Sequence, residues 1–351
     1  MATAYQSVQW NRQKLIYDAL VLTGIALFFG IVLEVTPLFD PNTDLKNLEI
    51  RAWGSAAFIL LTVILSIGPL CRLDRRFLPL LYNRRHLGVI TFAVATYHGW
   101  LVLGWYHAFG NVEPIVSLFT SNTRWDTFFA FPFEWLGAGA WLIMLLMAAT
   151  SHDFWLANLT APVWKALHMA VYLAYALIVG HVVLGALQTS TGLAPAIAVS
   201  VAALWVVGLH LVSGLKDRRL DREAASDEDG WIDVCAIDDI PDNRATIVTA
   251  GGERVAIFRY DGKLSAVSNT CQHQNGPLGE GRIIDGLITC PWHGFQYDPA
   301  TGRSPPPFTE HIPTFRVRVR GGRALLDPSP VPAVSRVEPA RIDAEPAGGG
   351  V

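Results

Sequence analysis

The chain has 351 residues, enough for two domains, and 51% of them are hydrophobic while only 16% are charged. A net charge of −3 excludes the strongly basic surface that is typical of nucleic-acid binding, so we expect no nucleic-acid partner. The four cysteines, Cys71, Cys235, Cys271 and Cys290, are too scattered to form a disulfide framework.

Apolar residues dominate the chain up to about residue 215. They occur in six stretches that are each about long enough to cross a membrane as a helix. The alternative, buried helices of a water-soluble protein, would leave too little polar surface. We therefore predict an all-α bundle of six transmembrane helices within residues 1–215. The stretches are residues 15–33, 53–70, 87–107, 134–150, 162–187 and 193–215.

Basic residues are distributed unevenly between the two sides of this bundle. Twelve Lys and Arg residues lie on the side of the N-terminus, whereas the other side has only Lys46, Arg51 and Arg124. Because basic loops are retained in the cytoplasm, we expect both termini to be cytoplasmic. The predicted location is the cell inner membrane, as a multi-pass protein whose first partner is the lipid bilayer.

Histidines recur within two of the predicted helices. His86 and His98 are 12 residues apart in the third, and His168 and His181 are 13 residues apart in the fifth, or about 18 and 19 Å along a helix. Ionisable side chains are costly in lipid and indicate functional sites, and imidazole is a common haem ligand. The matched spacings predict haem b between His98 and His181, and a second haem between His86 and His168.

Other histidines have a simpler interpretation. His107, His152 and His210 lie near helix ends or the membrane edge, where a histidine often only forms a hydrogen bond. His86 stands beside Arg84 and Arg85 at the membrane edge, so both interpretations stay open for it. The number of haems, one or two, stays open for the same reason.

The segments "NRRHLGVITFAVATYH" and "WKALHMAVYLAYALIVGH" resemble the ferric-reductase-like transmembrane family, over roughly residues 50–215. The resemblance implies b-type haem and electron transfer across the membrane, with His98, His168 and His181 at ligand positions. NADPH oxidases, which belong to this family, continue into a flavin- and nicotinamide-binding domain. This chain has no Gly-rich phosphate loop after a strand, so we expect a different domain here.

Residues 216–351 fall into three parts that differ in composition. Residues 216–230 form a charged linker, and residues 231–327 contain short strands separated by Gly-Gly and Asp-Gly turns. We predict a small all-β domain there, followed by a Pro/Ala/Gly-rich tail, residues 328–351, that is disordered.

Two Cys–His pairs lie inside the β domain. Cys271-x-His273 and Cys290-x-x-His293 are separated by 16 residues. A zinc site would usually begin with two closely spaced cysteines. One sulfur and one nitrogen from each of two loops fit a [2Fe–2S] cluster with two Cys ligands on one iron and two His ligands on the other.

The motifs "CQHQNGPLGEG" and "CPWHGFQYDPATGR" resemble the Rieske family over about residues 231–327. Rieske proteins of respiratory bc complexes have an additional disulfide near the cluster, and Gly276 and Trp292 stand at about those positions here. They also have a Ser where this chain has Phe295, whereas Tyr297 is retained. The domain therefore resembles the ferredoxin and ring-hydroxylase versions more closely.

Together these features predict a multi-domain protein, with an all-α six-helix transmembrane bundle followed by a small all-β Rieske domain. Its predicted function is electron transfer between a cytoplasmic [2Fe–2S] cluster and transmembrane haem, toward an acceptor on the outer face. The donor is unidentified, and the acceptor could be a quinone, a metal or a periplasmic protein. Two alternatives are a non-enzymatic redox sensor and a component of a Rieske-type oxygenase system. The 24 residues after Asp327 are too few for the further iron domain that an oxygenase needs.

Overall fold

A computed structural model describes most of the chain, and it divides the chain into two compact units. One unit contains Trp10–Pro69 and Asn83–His210, and the other contains Met1–Gln9, Leu70–Tyr82 and Leu211–Val351. The described residues are 12–39, 44–81, 83–151, 155, 159, 161–188, 193–221, 226–227, 229–273, 276–292, 294–332 and 335–342.

The N-terminal part is helical. Helix α4 continues into a π-helical turn, Leu103–His107, and the remaining connections include short 3-10 turns at Arg75–Phe77 and Phe128–Ala130. The helices are α1 Arg12–Phe39, α2 Leu45–Leu73, α3 Leu78–Leu81, α4 Arg84–Val102, α5 Pro114–Thr120, α6 Glu134–Ala149, α7 Ala161–Met169, α8 Val171–Leu184 and α9 Ala194–Leu220.

Within the described residues, five helical segments are long and apolar enough to cross a membrane: Leu15–Phe39, Leu45–Leu73, Arg84–His107, Ala166–Leu184 and Ala194–Lys216. The remaining predicted span corresponds to α6, a shorter apolar helix of 16 residues. At 1.5 Å per residue α6 extends about 24 Å, slightly less than the hydrocarbon core of about 30 Å. The predicted helical membrane domain is confirmed, with a helix count close to six.

Large apolar side chains cover the outside of these helices. Leu20 is 68% exposed and Leu204 is 71% exposed, and many neighbours resemble them. Such a surface would be unfavourable in water but is ordinary against lipid.

The interior of the helical unit is formed mainly by α2, α6, α8 and α9. Phe58 of α2 stacks on Tyr175 of α8 with ring centroids 5.7 Å apart, and Thr62 Oγ1 lies 3.1 Å from the Tyr175 hydroxyl. Trp205 Nε1 donates to Ser66 Oγ at 3.1 Å. Because lipid cannot satisfy polar groups, these hydrogen bonds between helices help to fix their positions.

The C-terminal part is a β domain, as predicted. A seven-stranded antiparallel sheet has the order β1-β9-β8-β4-β3-β2, with β10 also paired to β4, and a small sheet has the order β5-β6-β7. The strands are β1 Ile232–Ala236, β2 Arg244–Ala250, β3 Glu253–Tyr260, β4 Lys263–Ser268, β5 Arg282–Ile284, β6 Leu287–Thr289, β7 Gln296–Tyr297, β8 Thr314–Arg320, β9 Arg323–Val331 and β10 Ala340–Arg341.

Strand β3 shows how the sequence forms two hydrophobic clusters. Successive strand residues point to opposite faces, so Val255 and Ile257 lie in one cluster and Ala256 and Phe258 in the other. The second cluster also contains Ile288 of the small sheet, which therefore packs against this face.

The expected turns are present at both ends of β3. Gly251 and Gly252 have φ angles of +58° and +76°, and Asp261 and Gly262 have +46° and +66°. Positive φ at both central residues is the geometry that two-residue hairpin turns favour.

The predicted boundaries of the linker and tail need correction. Helix α9 continues to Leu220, inside the linker that was expected from residue 216. Strand β9 continues to Val331, and β10 pairs Ala340 with Leu264 of β4, so the expected disorder is wrong for residues 328–332 and 335–342. Composition was misleading because Ala340 and Ile342 pack against the sheet core. The other tail residues, and residues 222–225 and 228 of the linker, lie outside the described residues.

Gly302 offers a test of this packing. It has a φ of +67°, and a Cβ there would overlap the carbonyl oxygen of Ile312. We expect Gly302→Ala to destabilise the β domain by about 2–5 kcal/mol, the sum of about 1–2 for the left-handed backbone and about 1–3 for overpacking. Differential scanning calorimetry of the full-length protein measures the change in its unfolding transition.

The matched control is Gly286→Ala. Gly286 has a φ of +78° but nothing lies within 4 Å of a Cβ there, so only the backbone cost of about 1–2 kcal/mol is expected. Equal losses of stability in the two variants would show that Gly302 is not crowded.

Candidate functional site

Two loops of the β domain contain the predicted cluster ligands, and each loop is closed by its own backbone. In the first, after β4, Cys271 N donates to Gly276 O at 2.9 Å. In the second, between β6 and β7, Cys290 N donates to Phe295 O at 2.8 Å. Both cysteines are buried, with exposures of 1% and 3%. The loops therefore hold both sulfur atoms away from water.

The two loops touch each other at Gly276. A Cβ at this position would lie 2.7 Å from Cys290 Sγ and 3.3 Å from the Trp292 ring, so only glycine allows the approach. Cys271 and Cys290 consequently belong to one core cluster. His293 lies outside the described residues, and among those that are described no three His, Cys, Asp or Glu side chains form a metal-binding group.

Tyr297 connects the loops to the sheet. Its hydroxyl oxygen accepts a hydrogen bond from Gln272 N at 2.9 Å and lies 3.4 Å from Cys271 Sγ. Burial raises the pKa of Tyr297, and the neighbouring Cys271 and Cys290 raise it further, so the hydroxyl keeps its proton. Because a metal-bound thiolate can only accept, the geometry directs this proton to Cys271. The hydroxyl of Tyr297 thus lies within hydrogen-bond distance of a predicted ligand sulfur.

Phe295 has a role that its position in the motif did not reveal. Its ring stacks on His273, with centroids 5.1 Å apart and an interplanar angle of 8°, and it also contacts Phe308 at 5.0 Å. Phe295 is 2% exposed. It therefore orients the His273 ring and excludes water from the loop. Phe308 lies outside both motifs, so no motif residue indicates its participation.

In the helical unit, His98 of α4 and His181 of α8 face each other. Their ring centroids are 6.4 Å apart. A metal–imidazole bond is about 2.0–2.1 Å long, and the bonded nitrogen lies about 1.1 Å from the centroid of its ring. Two imidazole rings on opposite sides of one metal ion therefore have centroids about 6.3 Å apart. The observed separation fits a haem iron held between the two rings.

The second nitrogen of each ring is already occupied. His98 Nδ1 lies 3.0 Å from Ile50 O, and His181 Nδ1 lies 2.9 Å from Phe133 O. Donation from Nδ1 to a carbonyl leaves Nε2 as the nitrogen that can bind a metal, a common arrangement for histidine ligands. Glycines make room for both rings, since a Cβ at Gly54 would lie 3.0 Å from His98 and one at Gly137 would lie 2.8 Å from His181.

His168 of α7 satisfies the same conditions. Its Nδ1 lies 3.0 Å from Trp164 O, and its ring stacks on the Trp164 ring with centroids 3.7 Å apart. Its Nε2 is buried and has no hydrogen-bond partner among the described residues. A buried imidazole nitrogen without a partner is unfavourable unless a ligand binds it.

His86 is bonded to a helix that the sequence analysis did not associate with it. Its Nδ1 lies 2.8 Å from Asp18 Oδ2 of α1. The structure thus places His86 in a polar cluster, and it establishes no His86–His168 pairing. The haem-ligand assignment of His86 stays a prediction.

The remaining histidines agree with the simpler interpretation where they are described. His210 has both nitrogens bonded, Nδ1 to Val206 O at 2.9 Å and Nε2 to the Tyr172 hydroxyl at 3.0 Å. His107 Nδ1 lies 3.0 Å from Ser117 Oγ. His152 lies outside the described residues.

Comparison with known families finds a match in each of the two parts of the chain. Residues 230–316 match the Rieske [2Fe-2S] domain, and residues 53–179 match the ferric reductase like transmembrane component. The chain is a Rieske protein with a ferric-reductase-like membrane domain. The membrane match includes His98 and His168 but ends before His181.

Relatives of the Rieske domain are small ferredoxins. It is 31% identical to the ferredoxin component of the alkene monooxygenase system of Xanthobacter autotrophicus, over 31% of this chain and 90% of that protein. It is 33% identical to the ferredoxin component of the naphthalene 1,2-dioxygenase system of Pseudomonas aeruginosa, over 28% of this chain and 94% of that protein. Among solved structures, the Sphingomonas yanoikuyae B1 ferredoxin is 28% identical, covers 27% of this chain and 96% of that chain, and has a TM-score of 0.26.

The two family matches indicate the cofactors. A Rieske domain implies a [2Fe–2S] cluster, and ferric-reductase-like domains typically bind haem b. Together they support a membrane electron-transfer protein, as the sequence predicted. The assignment of individual ligand residues stays a prediction, and the distances given above are the observations that support it.

Tyr297→Phe tests the hydrogen bond to the ligand sulfur. Such a bond stabilises the reduced, more negative cluster, so we expect its loss to lower the midpoint potential. A hydrogen bond to a charged group contributes about 1.5–3 kcal/mol, equivalent to about 65–130 mV for one electron. Redox titration of the full-length protein, followed by the electron paramagnetic resonance signal of the cluster, measures the shift.

Tyr260→Phe is the matched control. Tyr260 lies in the same core cluster, but its hydroxyl bonds to Ser265 at 2.8 Å, so its loss is expected to leave the potential unchanged. A Tyr297→Phe protein with an intact cluster and an unchanged or higher potential would contradict the assignment.

Proposed function

We propose that this protein transfers electrons between a Rieske cluster on the cytoplasmic side and haem b inside the membrane domain, toward an acceptor on the outer face. The observation that supports this best is the facing pair His98 and His181, whose 6.4 Å separation fits one shared metal ion. The same chain contains a Rieske domain, so one polypeptide has both kinds of electron-transfer site.

Each cofactor, when bound, takes up and releases one electron at a time. Cys271, His273, Cys290 and His293 hold the cluster in this proposal, and the buried sulfur positions limit its contact with water. His98 and His181 hold one haem, with their rings fixed by hydrogen bonds to Ile50 O and Phe133 O. Rigid ligands of this kind reduce the rearrangement that accompanies a change of charge.

The proposed orientation follows from charge. Helix α9 ends among Lys216, Arg218 and Arg219, and the connection before α4 contains Arg75 and Arg76. These residues belong to the more basic side, which is retained in the cytoplasm. The Rieske domain follows α9 directly and would therefore lie in the cytoplasm. An electron donor on the cytoplasmic side would pass electrons outward, which is the proposed direction.

Transport across vesicles tests the function. The full-length protein is reconstituted in vesicles that contain ferricyanide, and dithionite is added outside. We expect continuous reduction of the internal ferricyanide, and at least a tenfold slower rate for Cys290→Ser, because the cluster loses a ligand. Cys235→Ser is the matched control, since Cys235 lies on β1, outside both cluster loops.

Two results would refute the proposal. An unchanged rate of ferricyanide reduction in Cys290→Ser would show that electrons do not pass through the Rieske cluster. Reduction of cluster and haem without any oxidation by the internal ferricyanide would instead indicate a redox sensor.

His98→Ala and His181→Ala should each remove the same haem, because in this proposal the two rings, 6.4 Å apart, bind one metal ion. Reduced-minus-oxidised absorbance of the purified protein measures haem content, and the Rieske resonance signal should survive in both variants. His107→Ala is the control on the same helical segment, because its Nδ1 bonds to Ser117, and it should keep all the haem. Full haem absorbance in His98→Ala would refute the pairing.

A further inference from the structure

Asp18 is a partly buried carboxylate in the first half of α1, in a segment of mostly apolar residues. Its side chain is only 16% exposed. One oxygen, Oδ2, lies 2.8 Å from His86 Nδ1, and the other accepts a hydrogen bond from Asn83 Nδ2 at 2.5 Å. Acidic side chains within apolar, membrane-spanning segments are rare and are usually functional. The family match begins at residue 53, so it assigns nothing to this helix.

The four candidate haem ligands differ in what their Nδ1 atoms contact. His98, His168 and His181 are bonded to the backbone carbonyls of Ile50, Trp164 and Phe133. His86 alone is bonded to a carboxylate. Both arrangements orient a histidine so that Nε2 can bind a metal. They differ in charge, because a carbonyl is neutral and a carboxylate is negative.

We propose that Asp18 is a positioning residue for His86, and that His86, oriented in this way, would help to hold a second haem on the cytoplasmic side. This rests on the proposed function and extends it. Asn83 holds the carboxylate through Oδ1, and the carboxylate holds the imidazole through Oδ2, so the ring orientation is determined from two helices. In this proposal His168, whose buried Nε2 has no hydrogen-bond partner among the described residues, would hold the same haem.

The negative charge of Asp18 has a predictable effect on the metal. A carboxylate draws the Nδ1 proton toward itself and makes Nε2 a stronger electron donor. A stronger donor stabilises the more positive, oxidised iron, so Asp18 lowers the potential of this haem. Arg84 and Arg85 lie near His168 and act in the opposite direction. The effect of the Asp18 charge is therefore measured as the difference in haem potential between the wild type and a neutral variant of the same shape.

Asp18→Asn is that variant, because an amide oxygen can still accept from Nδ1 but has no charge. The full-length protein is titrated electrochemically while the haem absorbance and the Rieske resonance signal are recorded. We expect two haem components in the wild type. In Asp18→Asn the midpoint potential of one haem component should rise by at least about 59 mV, which is a tenfold gain in electron affinity for one electron. The potentials of the other haem component and of the Rieske cluster should stay unchanged.

Three further variants make the experiment decisive. Asp18→Glu should return the shifted component toward the wild-type potential, since it restores the charge. His86→Ala and Asp18→Leu should lose that same component and keep the other haem. Asp44→Asn, an exposed acidic residue before α2, is the matched charge control and should shift neither haem.

The proposal is overturned if the two haem potentials are unchanged in Asp18→Asn, if they shift equally, or if only one haem is present in the wild type. The last result would leave electron transfer through His98 and His181 intact. A lower unfolding temperature with unchanged potentials would show that Asp18 only connects α1 to α4. Loss of one haem in Asp18→Asn, with the other retained, supports the positioning role.

Discussion

An imidazole inside a membrane must have its N–H group hydrogen bonded, because no water is present to accept it. The membrane domain satisfies this requirement with backbone carbonyls that lie near helix boundaries. His181 uses Phe133 O, next to the first residue of α6, and His98 uses Ile50 O in α2. Once Nδ1 is occupied in this way, only Nε2 can bind a metal, and the ring plane is fixed. The proposed haem position would therefore depend on the hydrogen bonds to Ile50 O and Phe133 O, which belong to segments that supply no proposed ligand.

The same principle separates the proposed haem ligands from other histidines. His210 has its second nitrogen bonded to Tyr172, whereas His168 has a buried Nε2 with no hydrogen-bond partner among the described residues. Residue type does not distinguish these two histidines. The hydrogen-bond partner of the second nitrogen does, because it determines whether a metal can replace it.

In the Rieske domain the arrangement of the predicted ligands depends on the close approach of the two cysteine-containing loops. Gly276 allows one loop to contact Cys290 of the other, and Tyr297 reaches from β7 to Cys271. The hydroxyl of Tyr297 accepts from Gln272 N, so its own proton is available to the sulfur. This arrangement supports the electron-transfer function directly, because hydrogen bonds to the sulfurs influence the reduction potential.

The sequence by itself determined the two-part architecture, the cofactors and the candidate ligand residues. Hydropathy over about 20 residues indicates a membrane helix. The pairs Cys271-x-His273 and Cys290-x-x-His293 predict a Rieske site through their ligand chemistry and the resemblance of the surrounding motifs to that family. Only the tertiary structure decided what surrounds those ligands. The stacking of Phe295 on His273, the pairing of β10 with β4, and the contact of Asp18 with His86 each join residues that are distant in the chain or have no periodic pattern. Local pattern predicts which side chains can bind a metal, whereas packing between separate elements determines their orientation and the charge beside them.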